Sequence, residues 1–386
     1  MTDLNYSTLP EDLLERLADN GLDALPDAFR LLLNAAMLLE RQKHLNARPY
    51  ERTEQRQGHA NGFKDKTLQT RMGTITLAVP QVREGDFYPS ALEKGIRSER
   101  ALKLALAEMY VQGVATRRVA AITEQLCGYA VSATQVSKAA GELDALLSTW
   151  RNRPLGEFRY LYLDARYETV RVDGTNRDMA ILIALGVDAA GKRHLLGVSC
   201  SLSEAEVHWR EFLKSLVARG LCGVRLLISD DHGGLKAARK AVFGGTPWQR
   251  CQFHLQQNAQ AYVLKQEQKA PVAEAIRTIF NAPTREQAEG LLCRYVGEWN
   301  KTNPKLALWA EANLPEGLTI LAFPEAHRRL LRTTNGLERV NQEVRRRTRV
   351  CRQFPNEAAC LRLVSAVLME ISEEWETGKA YLTFDD

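Results

Sequence analysis

The chain lacks paired cysteines. Its seven cysteines lie singly at 127, 200, 222, 251, 293, 351 and 360, with no CxxC. An odd, scattered set excludes a disulfide framework and fits a reducing, cytoplasmic setting. Long apolar runs are also lacking. The stretch from Leu31 to Leu39 is broken by Asn34 and is too short to span a bilayer. The opening residues, MTDLNYSTLPEDLLERL, are acidic, with no basic segment leading into an apolar one. No secretory signal and no membrane partner are therefore expected. Internal repeats and low-complexity tracts are absent. The net charge, +5 over 386 residues, is too small to imply a polyanionic partner by itself. What is present is a soluble composition, 45% hydrophobic and 26% charged, long enough for two or three domains.

Residues 1–50 read as a helical, dimerising region. Leu13, Leu14, Leu17, Leu22 and the run from Phe29 to Leu39 recur at helical spacing, and the pattern leaves open whether they form core or a dimer contact. Residues 51–97 read as a small basic β and loop element. Gly58, Gly62, Gly73 and Gly85 punctuate it, Thr74–Val79 alternates, and Lys64 and Arg71 are among its cations. Residues 98–154 carry a helix-turn-helix pattern. Thr116 can cap a helix with Val119, Ile122 and Leu126 inward, Cys127-Gly128-Tyr129 can turn, and Ser132-Ala-Thr-Gln135 is a capping box. Thr134, Gln135 and Lys138 would then face a DNA groove, although an ordinary helical hairpin has the same pattern.

After a boundary near Pro154 the pattern changes to mixed α/β. Strands are expected from Phe158 to Leu163, Met179 to Val187, His194 to Ser199 and Val224 to Ile228, and a short one from Trp248 to Cys251, with a hairpin turn at Asp188–Gly191. Helices are expected over Glu204–Arg219 and Gly234–Val242. From Leu255 to Leu330 helices should break at Pro271, Pro283, Pro304 and Pro315, and a last helical region from Asn335 should be interrupted at Pro355. Three antiparallel strands followed by parallel strands joined through helices is the order of a ribonuclease-H-like mixed sheet. The expected catalytic domain occupies 156–255 and 331–386, with a large all-α insertion at 256–330.

Three acids stand at informative places. Asp164 follows YLYL, Asp230 follows RLLIS, and Glu338 lies in TTNGLERVNQEVRRRTRV. Neighbouring strand ends lie about 4.8 Å apart, close enough for carboxylates to share a metal pair. Two Mg²⁺ ions need few protein ligands, all hard oxygens, to drive phosphoryl transfer. Asp230 is followed by Asp231, so two acids compete for the second place. Asn335, Glu338, Gln342 and Arg345 form a polar stripe on one helix face. Nine arginines fall between 328 and 352 against two glutamates, and Arg339, Arg345, Arg346, Arg347 and Arg349 are candidates to grip a phosphate backbone. Cys251 and His254 have a metal-like spacing, but no second pair completes a zinc site, so a buried Cys and a His beside the acids is the better reading. His232 is a further polar neighbour.

Across nearly the whole chain these motifs resemble the bacterial transposases related to the Mutator superfamily. The resemblance rests on GHANGFKDKTLQTRMGTITLAVPQVREGDFYP, LALAEMYVQGVATRRVAAITEQLCG, VSATQVSKAAGELD, LDARYETVR, SDDHGGLKAA, WQRCQFHLQQN and TTNGLERVNQEVRRRTRV, in that order. It implies a DDE transposase whose acids are Asp164, Asp230 and Glu338, with the 107 residues between the last two accommodating the insertion. It also implies two Mg²⁺ ions, with Mn²⁺ able to substitute, binding of double-stranded DNA at terminal inverted repeats and at the target, and synapsis as a homodimer. The motif register favours Asp230 over Asp231. The rival readings are a ribonuclease-H-like nuclease or resolvase without strand transfer, and a DNA-binding regulator without catalysis.

Overall fold

The computed structural model describes residues 11–83, 86–92, 94 and 98–384. Gly85 lies outside the described residues, as do the side chains of Leu13 and Leu14. The chain divides into two compact units, at Glu142/Leu143.

The first unit contains α1 (Glu11–Asn20), α2 (Leu25–Leu45), β1 (Ala60–Thr70), β2 (Gly73–Val82), α3 (Arg100–Val111), α4 (Thr116–Cys127) and α5 (Ala133–Gly141). β1 and β2 form an antiparallel hairpin. Alternation along β2 turns Ile75, Leu77 and Val79 onto Met37 of α2, with Phe29 and Leu33 beside them. That face of α2 is therefore core, whereas Leu22, Leu32 and Leu39 are exposed. A second cluster joins Leu102 and Leu106 of α3 to Val119, Val136 and Ala139. Ser132 does form its capping box, and Gly128 supplies the left-handed turn after α4. Two details of the helix-turn-helix reading are corrected. Thr116 is the first helical residue and makes no cap. Leu126 is 72% exposed, because Thr123 takes the inward place and accepts the Val131 amide (3.0 Å).

The second unit begins before Pro154. Its α6 (Asp144–Arg151) buries Leu147 and Trp150. The Arg362 guanidinium donates twice to Asp144, at 2.7 Å each. Then come β3 (Phe158–Val172), β4 (Thr175–Asp188), β5 (Arg193–Ser201), α7 (Glu206–Ala218), β6 (Leu226–Ser229), α8 (Gly233–Val242) and β7 (Trp248–Arg250). The sheet order is β5-β4-β3-β6-β7, antiparallel among the first three and parallel from β3 onward. β4 is buried continuously from Met179 to Val187, as a central strand covered on both faces should be. Leu213, Leu216 and Leu235 belong to the core on one face. The helix α15 (Glu357–Thr377) packs against β5 and β3.

Between β7 and α15 the chain is helical: α9 (Gln252–Gln260), α10 (Gln266–Phe280), α11 (Arg285–Thr302), α12 (Pro304–Asn313), α13 (Glu325–Leu331) and α14 (Asn335–Thr348). Leu255, Ile276, Ile279, Leu306 and Leu314 close a separate core there. Pro304 starts a helix and Pro355 precedes one, as expected. Pro271 does not break α10. It lies near the exposed N-terminal turns, where water can take the carbonyl its missing N–H leaves free. No helix among the described residues is long and apolar enough to cross a membrane.

Candidate active site

The parallel pairing of β3 with β6 ends at Tyr162 opposite Ile228. Asp164 and Asp230 lie two residues further along each chain, in the same register and with the same side-chain parity. Asp164 does not end its strand. β3 runs on to Val172 because β4 keeps pairing after β6 has stopped. Burial pushes the Asp164 carboxyl up to about 7, and the Asp230 charge adds to the rise. The Ala165 amide, donating to Asp164 Oδ1 at 2.9 Å, and the nearby His254 oppose it.

Glu338 stands in the first turn of α14. Its Oε1 is buried, lacks a hydrogen-bond partner and lies 3.8 Å from His254 Nε2. His254 is raised to about 9, chiefly by the Cys251 side chain, with Asp230 and Asp164 contributing while burial opposes. The charged form of His254 is thus favoured beside the acids. Burial pushes the Cys251 thiol up, but His254 and Thr334 outweigh it and bring it below the usual thiol range. Cys251 Sγ accepts from the Thr334 amide (3.4 Å) and hydroxyl (3.5 Å), and Gln252 N donates to Arg332 O (2.9 Å). These bonds tie the start of α14, and so Glu338, to the end of β7.

Asp231 is engaged elsewhere. It pairs with Arg250 (3.0 Å) and Lys236 (3.2 Å), which also hold Glu316. Asp230, not Asp231, is the acid whose charge reaches Asp164, His254 and Glu204. His232 Nδ1 lies 3.7 Å from Glu204 Oε2. Burial raises the Glu204 carboxyl, His232 opposes, and Asp230 adds to the rise.

Three residues beside the acids went unread in the sequence. Glu204, expected as the first residue of a helix, sits in the loop just before α7. Asn341, one turn after Glu338, donates from Nδ2 to Asp164 Oδ2 at 2.8 Å. Arg166, two residues after Asp164 on the same strand face, donates to the Asn341 carbonyl and to Glu168. The i+3 and i+2 spacings were the available signals.

A cleft of about 1090 Å³ opens beside Glu338, lined by Arg166, Arg345, Arg346, Arg349, Arg352 and Gln342 among others. Two arginines expected there are placed elsewhere. Arg347 is 5% exposed, held by Glu343 at 2.9 Å and by Glu370 at 3.4 Å, because it falls on the apolar face of α14 with Val340 and Val344. Arg339 stands near Arg193 and Tyr381 and does not line the cleft. In the first unit, Lys64, Thr134 and Lys138 are exposed. Arg71 is paired with Glu99 at 2.9 Å. Gln135 closes the capping box and donates to Gln69 (2.8 Å).

Among the described residues no three His, Cys, Asp or Glu are gathered tightly enough to hold an ion as they stand. The donor chemistry nevertheless fits a hard divalent cation. The charge of Asp230 bears on Asp164 in a half-buried site, and Glu338 Oε1 is an acceptor without a donor.

The fold and site define a mixed α/β protein whose sheet edge and facing helix gather carboxylates beside a cleft rich in arginine. The chain belongs to the Mutator family of transposases: the family model described as "Transposase, Mutator family" matches residues 6–378. It is 59% identical over 371 residues to the transposase for insertion sequence element IS406 of Burkholderia multivorans, covering 96% of each chain. Identity is 42% to the ISRM5 transposase of Rhizobium meliloti, over 94% of this chain and 92% of that one. It is 36% to the transposase of IS256 in transposon Tn4001 of Staphylococcus aureus, over 100% of both.

Proposed function

We propose that this transposase binds the terminal inverted repeats of its element and cuts and joins DNA at Asp164, Asp230 and Glu338. The observation that carries the reading is the shared register of Asp164 and Asp230 beyond the last β3/β6 pair, with Glu338 facing His254 between them. The catalytic unit is ribonuclease-H-like, interrupted by the helical residues 256–330. Two Mg²⁺ ions, when bound, supply Lewis-acid stabilisation of the attacking and leaving oxygens. Asp164, Asp230 and Glu338 would hold them, with Mn²⁺ able to replace Mg²⁺. Arg345, Arg346, Arg349, Arg352 and Arg166 neutralise backbone phosphates along the cleft. Water opens one phosphodiester bond and leaves a 3′-hydroxyl. That hydroxyl attacks a second phosphodiester, so one P–O bond forms as another breaks and no protein–DNA bond is needed. In the first unit, Lys64, Arg71, Thr134, Gln135 and Lys138 contribute contacts to the element ends, and the protein acts as a homodimer at the bacterial nucleoid.

The test is incubation of the protein with end DNA, a target plasmid and Mg²⁺. Joined end–plasmid products are expected. Cleavage without joining would make the protein a nuclease or resolvase, and metal-independent binding without cleavage would make it a regulator.

A further inference from the structure

Asn341 is tied to β3 twice. Its Nδ2 donates to Asp164 Oδ2 at 2.8 Å, and its backbone carbonyl accepts from the Arg166 guanidinium. Asp164 and Arg166 share one face of the strand, so a single helical residue docks α14 against that face at two points. The amide can take only this orientation against an ionised Asp164, because the flipped form would set two acceptors against each other. With Ala165 N on Oδ1 and Asn341 Nδ2 on Oδ2, each carboxylate oxygen has one donor and keeps a free lone pair.

The other end of the amide is unsatisfied. Asn341 Oδ1 is buried with no hydrogen-bond partner, and so is Glu338 Oε1, one turn earlier on the same helix face. Two orphaned oxygen acceptors beside a half-buried carboxylate call for a donor, a water or a cation with its hydration shell, and a hard divalent ion accepts carboxylate, amide carbonyl and water oxygens together.

We propose that Asn341 is a positioning residue of the metal site, fixing the rotation of Asp164 through Nδ2, setting the distance of Glu338 from β3, and offering Oδ1 as a further oxygen acceptor. This rests on the reading of Asp164 as a metal ligand. Residues that orient metal ligands change affinity by about 10–100-fold when removed.

The experiment titrates Mn²⁺ alone into the full chain by calorimetry, and records the Mn²⁺-induced shift in Tm, for wild type, Asn341→Ala, Asn341→Leu and Asp164→Asn. Leu keeps the γ-branched outline of Asn in a larger side chain and is a good helix former, so a second variant is available should Ala unfold the site. Both Asn341 variants are expected to bind Mn²⁺ about 10–100-fold more weakly. Their binding of duplex DNA in EDTA should be unchanged, and their cleavage should recover at excess Mn²⁺. Wild-type Mn²⁺ affinity in the Asn341 variants, with binding lost in Asp164→Asn, would overturn the role of Asn341 and leave the metal site standing. A lowered metal-free Tm without weaker Mn²⁺ binding would reduce Asn341 to a structural peg and also overturn it. Wild-type Mn²⁺ binding by Asp164→Asn would refute the metal reading itself, and this inference with it.

Discussion

Replacing Asp164 by Asn should stabilise the metal-free protein. Folding raises this carboxyl from 3.8 to about 7, burial first and Asp230 second. A carboxyl raised on folding holds its proton more tightly in the native state, so its share of stability is full below pH 3.8. That share falls as pH rises towards 7 and stays lost above it. The rise corresponds to an upper bound of about 4 kcal/mol. The neutral amide of the Asp164→Asn variant would avoid this cost and keep the bonds of the carboxylate: its oxygen still accepts from Ala165 N, and Asn341 can turn its orphaned Oδ1 towards the new NH₂. In EDTA, the Tm of Asp164→Asn should exceed that of wild type at pH 8, by no more than about 16 °C, since 1 kcal/mol moves a unit of this size by about 2–4 °C. The gap should narrow steadily towards pH 4. Saturating Mn²⁺ should reverse the order, because only wild type gains from binding. Equal or lower Tm for the variant in EDTA at pH 8 would show that Asp164 is neither crowded nor starved of a cation.

Arg345→Ala and Arg349→Ala should each weaken DNA binding uniformly and reduce the log–log salt slope by about 0.9, while Arg347→Ala should lower Tm and leave the slope unchanged, in fluorescence titrations at several salt concentrations. Cys251→Ala should cost about 1–2 kcal/mol in chemical denaturation by removing the acceptor for Thr334, and should reduce cleavage more than DNA binding. Asp231→Asn should cost about 1–3 kcal/mol by the same assay, through Arg250 and Lys236, yet keep Mn²⁺ affinity. Gly191→Ala should destabilise by at least about 1–2 kcal/mol. Its φ is +76°, and a Cβ would lie 1.7 Å from the Leu382 carbonyl oxygen. A wild-type Tm in that variant would mean that residues 381–382 are not bound at this turn.

The central strands were legible because burial on both faces writes continuous apolar runs, and Asp164 and Asp230 were legible as polar residues closing such runs. The extent of β3 was not. LDARYETVR alternates weakly, and its pairing depends on β4, which the local pattern does not specify. Arg347 was misread because the cationic run gives no sign of which arginine the helix turns inward, although its spacing from Val340 and Val344 carries that information. Motif register already favoured Asp230 over Asp231, whereas the pairing of Asp231 with Arg250, which also holds Glu316, had no local signal because these partners are remote in the chain. The crossing of residues 381–382 at Gly191 had no local signature beyond a turn glycine.

The most direct measurement is release of a 3′-hydroxyl from end DNA in Mg²⁺ by wild type and Glu338→Gln at matched DNA occupancy. The amide keeps the shape of the side chain and removes its charge. At least about a 100-fold loss of cleavage is expected, with DNA affinity in EDTA unchanged. Cleavage by Glu338→Gln within a few-fold of wild type would contradict the assignment of the three acids.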